Sequence, residues 1–222
     1  MTRRMEYTMN DMLKYLSTTA ILLTSLWSGA MMVSPGGSGE PASWEQLHSS
    51  DSQVRLQTAT RLVEDAAKQI EQGATVMTYN TDPALLSGAI RVMLYEQDVD
   101  PVERQQAWCV AVHRLDLRTL GEMVRSMLYQ HTGEPRAHEA ALAWMWAVEK
   151  QMAQGAADPA MAAVAYADMD PTLFPEAIRV VLYNQNVELA ERQKAARLLI
   201  SHSELAPELV DIAQRILSGT EQ

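Results

Sequence analysis

DPALLSGAIRVMLYEQDVDPVERQQA, residues 82–107, aligns without gaps on DPTLFPEAIRVVLYNQNVELAERQKA, residues 170–195. Fifteen of the 26 positions are identical, at a constant offset of 88. Both copies open on Asp-Pro, an acid that can cap free helical N–H groups followed by a residue suited to the first helical position. The preceding stretch repeats as KQIEQGA (68–74) against KQMAQGA (150–156). The following one repeats loosely, Leu117 with Leu205 and Met123 with Ile212, with one residue inserted. A unit of about four helices is therefore written twice, over residues 51–132 and 133–222.

Outward from this block the punctuation stays helical. Asp100-Pro101, Asp158-Pro159 and, more weakly, Glu134-Pro135 mark further helix starts, and Gly73, Gly155 and Gly219 follow helical runs. There is no period-2 strand and no Asn-Gly or Asp-Gly hairpin turn. The spacing predicts helices over about 51–72, 83–97, 101–114, 117–131, 135–154, 159–167, 171–184, 188–202 and 206–218, an all-α body.

A finer pattern runs through both copies. An acid at a helix start is followed four residues later by a base or imidazole: Asp51/Arg55, Asp100/Arg104, Glu134/His138 and Glu188/Arg192. Apolar residues then fall at +4, +7 and +8 from the second member, for example Trp108, Ala111 and Val112, or Leu142, Met145 and Trp146. The acid can cap, the base can pair with it one turn on, and the apolar set forms one buried stripe. DSQVRLQTATRLV, DPVERQQAWCVAV and ELAERQKAARLLI resemble the second helix of a HEAT-type repeat. That resemblance implies a right-handed stack of antiparallel helix pairs in a curved solenoid, with an Asp/Arg ladder between repeats. The ladder bases are spaced by 49, 34 and 54 residues, and His138 stands where an Arg is expected. A compact two-lobed helical bundle would use the same pattern.

The N-terminal part is of another kind. Residues 15–39 contain no Lys, Arg, Asp or Glu, and YLSTTAILLTSLWSGAMMV (15–33) follows Lys14, with Arg3 and Arg4 further out. A positive flank, an apolar run and the small residues Ser28-Gly29-Ala30 predict a hydrophobic helix over 1–33. It is either a cleaved signal peptide or a single anchor with the N-terminus inside. Read from Met12, the segment is a compact three-part signal. SPGGSGEPAS (34–43) reads as a flexible linker, extending to residue 50. This places the helical body outside the cytoplasm, in the periplasm or anchored to the inner membrane.

Composition narrows the function. The 222 residues carry a net charge of -10, and residues 34–222 hold 26 Asp and Glu against 15 Lys and Arg. Such a surface argues against nucleic acid and for a partner protein with a basic face. The lone Cys109 lies in the apolar AWCVAV and reads as a buried thiol, with no obvious His partner. No nucleophile elbow, phosphate loop or dinucleotide fingerprint occurs, so neither catalysis nor a cofactor is expected.

The remaining candidates are polar clusters and aromatics. Arg91/Arg179 and Tyr95/Tyr183 match between copies and could line a duplicated ligand site, or serve each copy's own helix packing. His131, Glu134, His138 and Glu139 cluster at one junction and could hold a divalent metal, but HEAAL is not H-E-x-x-H, and no metal is expected. His113 and His202 lie near helix ends, where positive charge is favourable. Trp108, Trp144 and Trp146 read as core, with an aromatic-lined groove as the alternative. AALAWMWAV (140–148) is apolar on all sides, which predicts a central helix. Together these features predict a non-enzymatic scaffold for protein–protein interaction. The alternative is a small-ligand binder or enzyme using a groove between duplicated lobes.

Overall fold

The computed structural model describes residues 42–73, 81–131, 135–157, 170, 172–185 and 187–220. Residues 42–222 form one compact unit. The predicted N-terminal helix, the linker up to residue 41 and the predicted helix 159–167 lie outside the described residues. Every element described is helical: α1 (Trp44–Leu47), α2 (Ser52–Glu71), α3 (Pro83–Tyr95), α4 (Pro101–Arg114), α5 (Leu117–Gln130), α6 (Pro135–Ala157), α7 (Leu173–Tyr183), α8 (Leu189–Ser201), a 3-10 turn (Pro207–Leu209) and α9 (Val210–Ser218).

The starts form for local reasons. Asp51, Asp82, Asp100 and Asp116 each accept a bond from a first-turn N–H, at 2.9, 2.9, 2.8 and 2.8 Å to Gln53, Ala84, Val102 and Thr119. Pro83 and Pro101 occupy first positions, where a missing N–H costs nothing. Gly219 ends α9 at φ 71°, a left-handed conformation that a side chain would strain.

Three boundaries differ from expectation. Helix α1 falls in the stretch read as linker, because Ser43 and Gln46 form a reciprocal capping box and Leu47 is buried. Gly155 lies inside α6, which runs on to Ala157. The last predicted helix opens as a 3-10 turn before α9.

The duplicated block buries the same positions in both copies. Leu85/Leu173, Leu86/Phe174, Ala89/Ala177, Ile90/Ile178, Met93/Val181 and Leu94/Leu182 are all core. Packing follows chain order. α2 packs on α3, α3 on α4, α5 on α6, α6 on α7, α7 on α8 and α8 on α9. Alternate helices also touch: α2 lies on α4, α4 on α6, and α5 on α7. α6 is thus surrounded by α4, α5 and α7, as its all-round apolar pattern requires. Trp144, fully buried, lies with its ring 3.4 Å from where a Cβ on Gly121 of α5 would stand. The boundary at 132/133 therefore separates two copies of a sequence unit whose helices α5 and α6 share one core.

Candidate functional site

Among the described ladder residues, Asp51 and Asp100 cap first-turn N–H groups, and Arg55, Arg104 and Arg192 each reach a neighbouring helix. Arg55 Nη1 donates to the Ser49 carbonyl at 2.7 Å, while Nη2 and Nε hold Glu96 at 2.6 and 3.2 Å. Arg104, 8% exposed, donates to the Val99 carbonyl at 2.5 Å and to both oxygens of Glu139 at 3.2 Å. Arg192 Nε donates to the Leu182 carbonyl at 3.0 Å. The planar guanidinium suits a carboxylate and a helix-end carbonyl together, which one flexible i,i+4 acid cannot match. Glu188 stands at the start of α8 without a side-chain cap bond. His138 places Nδ1 3.2 Å from Asn184 Nδ2, and burial holds its pKa below the usual imidazole value.

The duplicated arginines do not converge. Arg91 of α3 lies 3.8 Å from Glu122 of α5, and Arg179 of α7 lies 3.4 Å from Glu208 beside α9. Arg125 and Asp170, with Tyr129 and Glu176 at 2.9 Å, link α5 to the chain at α7. These exposed bonds tie α3, α5, α7 and the start of α9 in series. The matching tyrosines diverge: Tyr95 is half-buried on the core, and Tyr183 is 59% exposed. The carbonyls of Tyr95, Glu96 and Gln97 are gathered by Arg136 at 3.1–3.3 Å, a cationic cap on the end of α3.

The candidate histidine cluster is described only in part. Glu134 lies outside the described residues, His131 ends α5 and His138 faces Asn184. Among the described residues no three His, Cys, Asp or Glu side chains are grouped to hold a metal.

One pairing was missed in the sequence. His113 stands one turn after Cys109, its Nδ1 3.9 Å from Sγ and 2.8 Å from the Cys109 carbonyl. Burial pushes the thiol up to about 11, and it lowers the imidazole, with Lys150 and Arg114 adding to that shift. Thiol and imidazole are both neutral at pH 7, so this is no activated nucleophile. Positive charge at the end of α4 comes from Arg114 in its last turn and from Lys150, whose Nζ donates to the Val112 carbonyl at 3.1 Å.

What remains is a groove between α4 and α6, of about 320 Å³. α4 supplies Pro101, Val102, Gln105 and Trp108; α6 supplies Glu139, Leu142, Ala143 and Trp146. Val102 is 55% exposed at its mouth, while Trp108 is 4% exposed in its floor. Trp146 lines it and Trp144, two residues away, points into the core. The indole Nε1 of Trp144 has no hydrogen-bond partner among the described residues. The aromatics divide between core and groove because two positions apart on a helix face roughly opposite ways. Comparison with protein-family models, curated proteins and solved structures finds no match to this chain.

Proposed function

We propose that the chain is a non-enzymatic helical-repeat scaffold that binds another protein along the α4–α6 groove. The observation that carries this reading is the groove itself. It is mostly apolar, lined by two tryptophans and open to solvent at Val102. Groups of that character favour an apolar anchor from a partner. The polar residues that could have built a reactive site are spent on joining helices: Arg55, Arg104, Arg136 and Arg192 all grip carbonyls or carboxylates. Stacking of α2 on α4 and of α4 on α6, beside the sequential helix pairs, supports the HEAT-like form of the fold.

The alternative, a ligand site between lobes, has less support. Its anchors Arg91 and Arg179 lie within reach of separate carboxylates, each on its own copy. We propose further that residues 15–33 export the body or anchor it, leaving the helices outside the cytoplasm. Lys14 before the apolar run and the acids after it support this orientation. Among the described residues no helix is long and apolar enough to cross a membrane.

The test compares proteins captured from native membranes by the tagged full chain, by Val102→Lys and by Val54→Lys. Val54 is exposed on α2, away from the groove. One protein retained by wild type and Val54→Lys but lost with Val102→Lys is the expected result. Identical protein sets for all three would remove the groove from the account.

A further inference from the structure

Near the start of α2, Arg55 holds Glu96, the C-cap of α3, at 2.6 Å. Near the start of α6, His138 Nδ1 stands 3.2 Å from Nδ2 of Asn184, the C-cap of α7. The two contacts correspond. Glu96 and Asn184 match at the offset of 88, and Arg55 and His138 are the second members of their acid/base pairs. Both partners change together. A guanidinium and a carboxylate in the first copy become an imidazole and an amide in the second.

That exchange alters how the contact responds to protons. A guanidinium and a carboxylate both stay ionised through the neutral and mildly acidic range. A neutral imidazole has one donor nitrogen and one acceptor nitrogen, whereas an imidazolium has two donors. The amide nitrogen of Asn184 only donates, so it needs Nδ1 as an acceptor. We propose that the His138–Asn184 contact is a proton-released latch between α6 and α7, closed on the neutral imidazole and opened when Nδ1 takes a proton.

The groups around His138 fit this role. Glu139 adjoins it on α6, with Arg104 of α4 bound to that carboxylate, and Glu191 of α8 acts on it as well. α7 presents the neutral amide of Asn184. Burial keeps the ring neutral to lower pH than usual, and the two carboxylates act the other way. The latch is therefore closed at pH 7 and is lost as pH falls through the folded value. Once charged, the ring is drawn to Glu139 and Glu191 and away from the end of α7. The Arg55–Glu96 contact of the first copy has no such release.

The test is a double-mutant cycle on the full chain in detergent, with His138→Ala, Asn184→Ala and the two combined, followed by urea unfolding. It is run at pH 7.5 and again about one pH unit below the midpoint of the His138 ring. That midpoint is read by NMR of histidine-labelled protein and assigned by its absence from His138→Ala. At pH 7.5 the coupling should change the unfolding constant by about five-fold, the worth of one hydrogen bond. Below the midpoint it should shrink to no more than about two-fold, the scatter of independent sites. The side-chain amide signal of Asn184 should shift with the same midpoint as the ring. Both residues are partly exposed, so alanine at either leaves the fold intact.

Equal coupling at the two pH values overturns the proposal, because the amide oxygen would then accept from Nδ1–H in both states. So does an absence of coupling at pH 7.5. An Asn184 amide signal that does not follow the His138 midpoint overturns it without any substitution at the contact.

Discussion

Arg104 shows how a single side chain sets the geometry of the groove. It joins α4 to α6 through Glu139, whose side chain is 23% exposed, and it satisfies the carbonyl of Val99. Arg104→Ala leaves a half-buried carboxylate and a backbone acceptor without partners, and should cost roughly 2–4 kcal/mol in urea unfolding. Arg91→Ala, at an exposed pair 3.8 Å apart, should cost no more than about 0.5 kcal/mol in the same experiment. The Asp/Arg periodicity that reveals these positions in the sequence does not reveal their partners. A guanidinium spans a long reach, and the choice between its own helix and the next is made by tertiary packing. Cys109 is similar: AWCVAV marks it as buried, but the turn-spaced His113 becomes visible only once the helix is drawn. With its thiol pushed up to about 11, alkylation at pH 8 should run roughly 100-fold slower than for a free cysteine. An apparent thiol pKa near that of free cysteine would contradict this.

Two histidines give the fold a pH dependence. Burial lowers the folded pKa of His113 and of His138 below the usual 6.5. The unfolded chain therefore binds more protons in the window just below 6.5, and stability rises with pH across it. The contribution is fully present above 6.5 and is lost as pH falls toward the folded values. Urea midpoints should drop between pH 7.5 and 5.5, and His113→Asn should reduce that drop. An unchanged pH slope in the variant would contradict the assignment.

Among the elements, α6 carries the most information. Its all-round apolar run predicts a central helix, and it lies among α4, α5 and α7. Gly121 of α5 lies close against it: a Cβ there would stand 3.4 Å from the ring of Trp144, with Leu173 of α7 at 3.6 Å. Gly121→Leu should overpack this junction and cost about 1–3 kcal/mol, measured by thermal or urea unfolding. Gly121→Ala, which only reaches van der Waals contact and gains helix propensity, should lie within about 1 kcal/mol of wild type. Helix starts were readable at Asp51, Asp82, Asp100 and Asp116 because each carboxylate acts on an N–H group two or three residues away. The short α1 was not, although Ser43 and Gln46 stand at capping-box spacing. A Gly/Ser/Pro-rich run just upstream masks a signal only four residues long. The ends at Gly155 and 206–209 were misread for the complementary reason: glycine permits a helix stop without requiring one.

At the scale of the molecule, the duplication is legible in residues 82–107 and 170–195 and returns as the same buried positions in α3 and α7. How the copies meet was not legible. It depends on α6 burying Trp144 against α5 and α7, a contact between residues far apart in sequence with no periodic signature. Because α5 and α6 share that core across the copy boundary, the described body should unfold as one unit. Tryptophan fluorescence and helical circular dichroism should give coincident urea midpoints, whereas two separated midpoints would indicate independent halves. The groove was half legible. An aromatic-lined groove was the alternative reading of Trp108, Trp144 and Trp146, but Val102 and Leu142 gain meaning only when α4 and α6 lie side by side.

The most direct test of the scaffold reading is photo-crosslinking in the native cell, with a photoreactive amino acid placed at Val102, at Val54 or at Tyr183 of the full chain. The account predicts one discrete adduct, formed from Val102 and absent or weak from Val54 and Tyr183. Uniform weak labelling from all three positions, or no adduct from Val102, would contradict it.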